Sequence, residues 1–326
     1  MNTWGNRLRI SLWGESHGAQ VGVVIDGVPA GVPLAESDLE EDLARRRAGS
    51  AGTTPRKESD APHIVSGVYE GRATGAPIAV EFVNENTRSG DYRNLTTHPR
   101  PSHADMVAQR KFGGFNDPRG GGHFSGRITL ALVTAGAIAK KILGEEIRFV
   151  TEIKEIGGST DKARFDEIIE RARMAQDSVG GVVECRVEGV PMGWGEPFFD
   201  SVESLAAHLL FSVPAVKGVE FGSGFEAARM TGSEHNDPIL DAAGRTDGNH
   251  AGGIVGGISN GNAIVVRAAV KPTASISRGQ QTYNFETGRV DELVIKGRHD
   301  VCIALRAAVV VEAAMAVALA DLKLRA

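Results

Sequence analysis

Alternating strand-like and helix-like hydrophobic patterns predict a mixed α/β fold, and three features carry that expectation. Short apolar runs of period two recur along the 326 residues. Stretches of helical periodicity, opened by Ser or Asp, separate them. Glycine accounts for 41 residues while 41% of the chain stays hydrophobic, well above the ~7% glycine usual in proteins. Those glycines therefore mark tight turns and close backbone approaches, not disorder. The chain slightly exceeds the length at which single cores stop growing, yet no Pro/Ser-rich or charged linker breaks it. One domain spanning residues 1–326 is expected.

Arg7–Leu12 alternates and reads as the first strand, and Val21–Ile25 as the second, ending in Asp26-Gly27-Val28-Pro29. Between them lies Trp13-Gly14-Glu15-Ser16-His17-Gly18, where Gly14 and Gly18 let backbone come close to something. Ser16 and His17, side by side, suit proton delivery or acceptance near neutral pH. The alternative is a loop histidine bonded to its own neighbours. Ser37-Asp38-Leu39-Glu40 reads as a capping box. The helix it opens ends in Arg45-Arg46-Arg47, cations suited to a helix C-terminus or simply solvated there. A small-residue loop with Thr53-Thr54-Pro55-Arg56-Lys57 precedes strands at His63–Tyr69 and Ile78–Val83.

A polar stretch, Asn84–Pro101, leads to Ser102 as an N-cap and a helix from His103 to about Lys111. Between Arg88 and Arg127 stand seven Lys/Arg and three acids, Asp91, Asp105 and Asp117, with His98, His103 and His123 among them. A basic island in an acidic chain signals an anion site, and arginine forks match phosphate and carboxylate. Gly120-Gly121-Gly122-His123-Phe124-Ser125-Gly126 opens a helix through Leu143; such a turn offers amides to an anion, but it is neither a Walker loop nor a GxGxxG fingerprint. Ile147–Ile156, Val182–Val187 and Val216–Phe221 read as strands, Asp161–Gln176 as an amphipathic helix, and Asp200 or Ser201 caps a helix to Phe211. His208 on that helix reads as packed or at the surface. A second glycine cluster, Gly252–Gly257, precedes the strand Ala263–Val270 and Lys271-Pro272-Thr273-Ala274-Ser275. Gly297-Arg298-His299-Asp300 precedes a long C-terminal helix, with Asp300 placed as its N-cap.

Composition excludes several classes. A net charge of −5 argues against a general nucleic-acid binder. Cys185 and Cys302 form no CxxC pair, so a reduced cytoplasmic setting is expected. Met1–Arg9 carries no secretory pattern. The apolar segment Val301–Ala320 contains Arg306 and Glu312 and reads as a buried helix, not a membrane span. A metal-dependent hydrolase lacks support, because His98 and His103 are not spaced i, i+4 and no Cys/His cluster exists.

Taken together, the motifs point to one family. Gly14-Glu15-Ser16-His17-Gly18 with Val24–Pro29 resembles the opening signature of chorismate synthases, and Arg100-Pro101-Ser102-His103-Ala104-Asp105 resembles that family's second histidine motif. Thr53–Lys57, Gly252–Asn260, Lys271–Ser275 and Gly297–Cys302 match in the family's order, so the resemblance spans essentially the whole chain. It implies an α+β fold, a layered β/α/α/β sandwich, assembled as a homotetramer. It implies conversion of 5-enolpyruvylshikimate 3-phosphate to chorismate by 1,4-anti elimination of phosphate, with reduced FMN and no net redox change, and NADP as an associated nucleotide. Neither nucleic acid nor membrane is expected as a partner. By resemblance His17 protonates the departing phosphate, His103 protonates the reduced flavin, Asp300 acts as a base, and Ser16 and Ser125 relay or position protons. Arg46, Arg100 and Arg127 are the anion clamps. Flavin contacts fall at Arg46, His123, Phe124, Ser125, His235, Asn236, Gly256, Lys271, Pro272, Thr273, Ala274, Ser275 and Arg298. The chain departs from the family at His123-Phe124 (usually Arg-Ser), Gly52 (usually arginine) and Val301 (usually proline), and it is short for the family. A relative that binds flavin or phosphate without catalysis is the alternative; retention of Ser16, His17, His103 and Asp300 counts against it.

Overall fold

Two antiparallel sheets each turn one apolar face inward. The first runs in the order Thr3–Trp4, Arg9–Gly14, Gln20–Asp26, Ile78–Val83, His63–Ser66. The second runs Val216–Phe221, Ile264–Val270, Gly181–Glu188, Arg148–Ile156. The computed structural model describes residues 1–49, 52–54, 58–85, 94–295 and 299–326. Alternation along Ile78–Val83 buries Ile78, Val80 and Phe82, and along Ile264–Val270 it buries Ile264, Val266, Ala268 and Val270. Successive strand side chains point to opposite faces, so each set covers one side of its sheet.

The helices are α1 (Glu40–Arg46), α2 (Asp105–Lys111), α3 (Thr129–Leu143), α4 (Phe165–Met174), α5 (Val202–Ser212), α6 (Gly232–His235) and α7 (Ala304–Lys323). Helix α3 packs on the first sheet, α7 on the second, and the two pack on each other. The layers are therefore sheet, helix, helix, sheet. Every pairing in both large sheets is antiparallel, so the layered α+β expectation holds and the generic α/β pattern does not. Helices covered on both sides must be apolar nearly all round, and burial is unbroken over Leu130–Ala139 and Val309–Leu322. Their approach is close: a Cβ on Gly136 would overlap Ala313.

Two buried carboxylates lock the layers. Asp321 accepts the N–H groups of Asn6, Arg7 and Leu8 at 3.2, 2.7 and 2.9 Å. Glu312 takes a two-pronged bond from Arg45 at 2.6 and 2.7 Å and one from Lys140 at 2.6 Å. Arg45, its side chain 38% exposed, is thus pinned to Glu312 at the edge of the layers, and Arg46 is buried, so the pair is not a freely solvated helix end.

Three local expectations need correction. The box before α1 is not built on Ser37: Asp38 reaches back to accept the Ala35 N–H at 2.8 Å, and a 3₁₀ turn, Glu36–Leu39, precedes the helix. Helix α2 starts at Asp105, not His103, and Ser102 adopts φ +56° instead of capping. Asp300 does not cap α7, whose N-cap position is Ile303; its carboxylate has other partners. A hairpin of Gln280–Asn284 with Arg289–Leu293 carries no sequence expectation at all.

Candidate active site

The glycine turn Arg119–Phe124 organises the site. Gly120, Gly121 and Gly122 hold φ of +59°, +84° and +55°, where any side chain is strained. Ser16 N–H donates to Gly122 O at 3.1 Å, joining the turn to the loop after the strand Arg9–Gly14. A Cβ on Gly120 would overlap the His17 ring and lie 2.9 Å from Ser16 Oγ. One on Gly121 would lie 3.4 Å from His103 Nε2 and 3.8 Å from Ser125 Cβ. Four residues expected from sequence, drawn from three segments, therefore converge on two glycines. The turn makes room for the His17 ring at Gly120 and brings His103 to ordinary contact distance at Gly121. Ser125 Oγ accepts the Arg127 N–H at 3.3 Å and starts the turn into α3.

His103 has a built environment of its own. Its Nδ1 lies 2.6 Å from Asp105 Oδ1. Arg100 grips the same carboxylate with Nε at 2.7 Å and Nη2 at 2.7 Å, and its Nη1 donates to Ser275 Oγ at 2.9 Å. Burial opposes the charge on Asp105, but the bonds from Arg100 and His103 outweigh it and hold the carboxyl well below the usual carboxylate range. Asp105 escaped sequence reasoning; its position two residues after His103 was the available signal.

Beside this lies a buried arginine group. Arg46, 2% exposed, donates to Gly126 O at 2.8 Å and Thr129 Oγ1 at 3.0 Å, with Asp60 at 3.5 Å. Burial, with the charges of Arg306 and Arg127 adding to it, pulls Arg46 down to about 9, so it is still a cation at neutral pH. Arg127 bonds Asp60 through Nη1 and Asn84 Oδ1 through Nε at 3.0 Å. Burial works against the Asp60 charge, yet Arg127 and Arg46 hold its carboxyl below the ordinary range. Asp300 accepts the Thr54 N–H at 2.8 Å and Arg306 Nη1 at 3.1 Å, while Arg306 Nε donates to Arg46 O at 3.0 Å. Arg306 stands six residues beyond Asp300. Asp60 has no local sequence signal.

These groups line one cavity of about 1060 Å³. Ser16, Arg46, Arg100, His103, His123, Phe124, Ser125, Arg127, Asp300 and all of Lys271–Ser275 are on its wall. Lining cations are Arg46, Arg47, Arg100, Arg127, Lys217, Lys271 and Arg306, against Glu58, Asp60 and Asp300. Burial and the Lys217 charge hold Lys271 below the usual lysine range. Arg47 Nε, Arg127 Nη2 and Thr273 Oγ1 are buried without a hydrogen-bond partner among the described residues; a polar ligand would supply one. His17 sits behind Gly120 with 7% exposure, and Ser16 stands on the wall in front. His123 is tied to Gly14 O at 2.8 Å and Asn2 Oδ1 at 3.1 Å, and Phe124 leans on Phe112.

Three expected residues are not on this wall. His235 closes α6 and faces His250 at 5.8 Å between ring centroids, Asn236 follows it, and Gly256 turns the small hairpin Ile254–Val255/Ile258–Ser259. Arg298, with Pro55, Arg56 and Lys57 of the earlier motif, lies outside the described residues.

The chorismate synthase family profile matches residues 8–324. The chain belongs to the chorismate synthase family. A chorismate synthase of Chitinophaga pinensis is 60% identical over 99% of this chain and 97% of the relative. One of Lachnospira eligens is 49% identical over 98% and 94%. A crystal structure of a chorismate synthase superposes with a TM-score of 0.74 at 28% identity, covering 99% of this chain and 93% of that one. The carbon–oxygen lyase activity read from the sequence is that of this family. Two departures from the family pattern touch one another here. Gly52 O accepts the N–H groups of Val301 and Cys302 at 2.9 and 3.1 Å, and a proline at 301 has no N–H to give. Among the described residues no helix is long and apolar enough to cross a membrane, and no group of three or more His, Cys, Asp or Glu residues could hold a metal ion.

Proposed function

We propose that the chain converts 5-enolpyruvylshikimate 3-phosphate to chorismate by eliminating the 3-phosphate and a C6 hydrogen, using reduced FMN without net redox change. The convergence of Ser16, His17, His103 and Ser125 on Gly120–Gly121, at the wall of a cation-rich cavity, carries this reading. Its volume of about 1060 Å³ reaches the top of the ~300–1,000 Å³ usual for one small ligand, which suits cofactor and substrate together. The substrate's two carboxylates and phosphate call for cations, and Arg46, Arg47, Arg127 and Arg306 provide them. Among the described residues Arg127 Nη2 and Arg47 Nε are buried donors without a hydrogen-bond partner, as suits an anion site.

Lys271–Ser275, Ser125 and Phe124 would hold the flavin from the adjoining wall, with Arg298 as a further contact. When bound, reduced FMN lends an electron and recovers it. The remaining work is proton handling. His17, behind Gly120, reaches the cavity through Ser16, which delivers a proton to the departing phosphate. His103 presents Nε2 beside Gly121, and Asp300 takes up a proton on a carboxylate already bonded to Arg306 and the Thr54 N–H. A positioned acid or base of this kind is worth about 10²–10⁴ in rate.

The chain is proposed to act as one domain in the cytoplasm, linked to NADP through supply of the reduced flavin. A homotetramer fits His235, Asn236 and Gly256, which would then meet a flavin across a subunit boundary. Chorismate formation under anaerobic conditions with chemically reduced FMN tests the reading. Turnover without stoichiometric flavin consumption supports it. Sustained activity with oxidised FMN and no reductant excludes the cofactor role, and binding without product favours the non-catalytic relative.

A further inference from the structure

We infer that Asp105 is a positioning residue for His103, fixing its tautomer, and that Arg100 serves Asp105 instead of clamping a substrate anion. The inference rests on the reading that His103 transfers a proton. His103 Nδ1 lies 2.6 Å from Asp105 Oδ1 and 3.1 Å from Arg100 Nη2. Arginine only donates, so a bond from Nη2 to Nδ1 and one from Nδ1 to Oδ1 exclude each other. The shorter contact, to a carboxylate, takes the proton on Nδ1 and leaves Nε2 beside Gly121 as the atom that exchanges protons.

Arg100 is committed to this cluster by one backbone and three side-chain N–H groups. Its backbone N–H and Nε both donate to Asp105 Oδ2, at 3.1 and 2.7 Å; Nη2 donates to Oδ1 at 2.7 Å, and Nη1 to Ser275 Oγ at 2.9 Å. The guanidinium is 4% exposed and the carboxylate 9%. The Nε/Nη2 edge, which would match a carboxylate or phosphate side-on, is therefore already taken by Asp105. Its bond to Ser275 also ties the histidine cluster to the far wall, Lys271–Ser275.

The geometry makes Asp105→Asn informative. The Oδ2 position meets two obligate donors from Arg100, so the amide oxygen of Asn must stay there. The amide nitrogen then takes the Oδ1 position, where Arg100 Nη2 loses its acceptor; His103 Nδ1 meets only donors, the amide and Arg100 Nη2 at 3.1 Å, which forces the proton onto Nε2. The side chain keeps its shape while the imidazole tautomer changes.

The test combines the apo-protein and the loaded enzyme. In ¹⁵N-histidine spectra of the apo-protein, His103 should carry its proton on Nδ1 in the wild type and on Nε2 in Asp105→Asn. With reduced FMN, kcat assayed well below the melting range should fall about 10²-fold or more while KM and flavin affinity stay near wild type; Tm falls, because the neutral amide leaves the buried Arg100 charge unpaired. The double variant His103→Ala/Asp105→Asn should be no slower than His103→Ala alone, because residues acting as a unit are not additive. Near-normal kcat and an unchanged tautomer in Asp105→Asn, with His103→Ala inactive, overturn the inference and leave the role of His103 standing. Near-normal turnover in His103→Ala overturns both. Additive losses in the double variant, or a kcat loss that vanishes well below the melting range, also overturn it by assigning Asp105 a role apart from His103.

Discussion

The two walls of the cavity hold the groups proposed to handle protons by different means. On the histidine wall, shape holds His17: Gly120 has no Cβ and the imidazole occupies the space, while His103 lies at contact distance from Gly121. The polar support there is local, since Arg100, His103 and Asp105 fall within six residues. On the carboxylate wall the support is long-range. Asp300 depends on Thr54 N–H and on Arg306, which is itself anchored to Arg46 O, and Gly52 O ties the segment through Val301 and Cys302. An imidazole must be gripped on one nitrogen and left open on the other, which a glycine floor and a neighbouring carboxylate achieve. A carboxylate needs only donors converging on its oxygens, and any part of the fold is able to supply them.

The largest expected effect breaks the carboxylate wall alone. Asp300→Asn keeps an acceptor for the Thr54 N–H but cannot take up a proton. Its rate should fall about 10²–10⁴-fold. Asp300 does not cap α7, so helix capping contributes nothing to the outcome, and Tm should move little. Turnover and thermal melts on one preparation check this; a near-normal rate would remove Asp300 from the chemistry.

A single methyl group addresses the histidine wall. Gly120→Ala places a Cβ into the His17 ring at φ +59°, so ring or turn must shift. Misplacement by about 1 Å can cost ~10²-fold in rate, and a loss of that order in kcat is expected. Phe124 and Ser125 end the same turn, so flavin affinity should hold if the His17 ring moves and weaken if the turn does. Steady-state kinetics beside flavin titration measures both.

What was legible in the sequence divides along the same line. The histidine wall was legible because its motifs are contiguous: Gly14–Gly18, Arg100–Asp105 and Gly120–Gly126 each display their chemistry within a few residues. Strands such as Ile78–Val83 and Val216–Phe221 were legible from period-two patterning. On the carboxylate wall the cap expected at Asp300 does not form, and only the family resemblance points to Asp300 as a base, because its Thr54 contact lies 246 positions away in sequence. The antiparallel layering was also hidden: periodicity reports which face is buried, not which strand lies alongside. Arg46 looked like a solvated end of α1 for the same reason, its partners lying on the turn into α3 and at Asp60.

Asp60 joins the two walls through Arg46 and Arg127, and its loss should appear in stability more than in rate. Breaking a buried pair leaves an uncompensated charge worth about 3–5 kcal/mol, so Asp60→Asn should lower the melting temperature clearly. The acid dependence follows from the direction of its shift. The folded carboxyl is held below its ordinary value, so its stabilisation is complete above the unfolded pKa of about 3.9 and is lost as pH falls through the folded value. Wild-type Tm should therefore drop in that acid range by more than Asp60→Asn does. Melts from pH 6 downward decide this; parallel curves would assign the acid sensitivity to other groups, Asp105 first among them.

The smallest expected effect concerns the pair of family departures behind the carboxylate wall. Gly52 sits at φ +87°, and a Cβ there would come 2.6 Å from Ile169 Cγ2, so the arginine usual in the family does not fit this backbone unchanged. With glycine in place, Gly52 O is positioned to accept the Val301 N–H at 2.9 Å. Val301→Pro removes that donor while Cys302 N–H, at 3.1 Å, still serves the same oxygen. The carbonyl keeps one partner, so the loss is a net hydrogen bond of about 0.5–1.5 kcal/mol, partly offset by proline's lower unfolded-state entropy. Asp300 keeps its bonds to Thr54 and Arg306, so the rate should change by less than about threefold, under 1 kcal/mol by the usual conversion. If Val301→Pro instead reduced the rate as severely as Asp300→Asn, the Gly52–Val301 bond would be what holds the base in place. The carboxylate wall would then hang on one long-range contact, where the histidine wall relies on a carboxylate two residues from its imidazole.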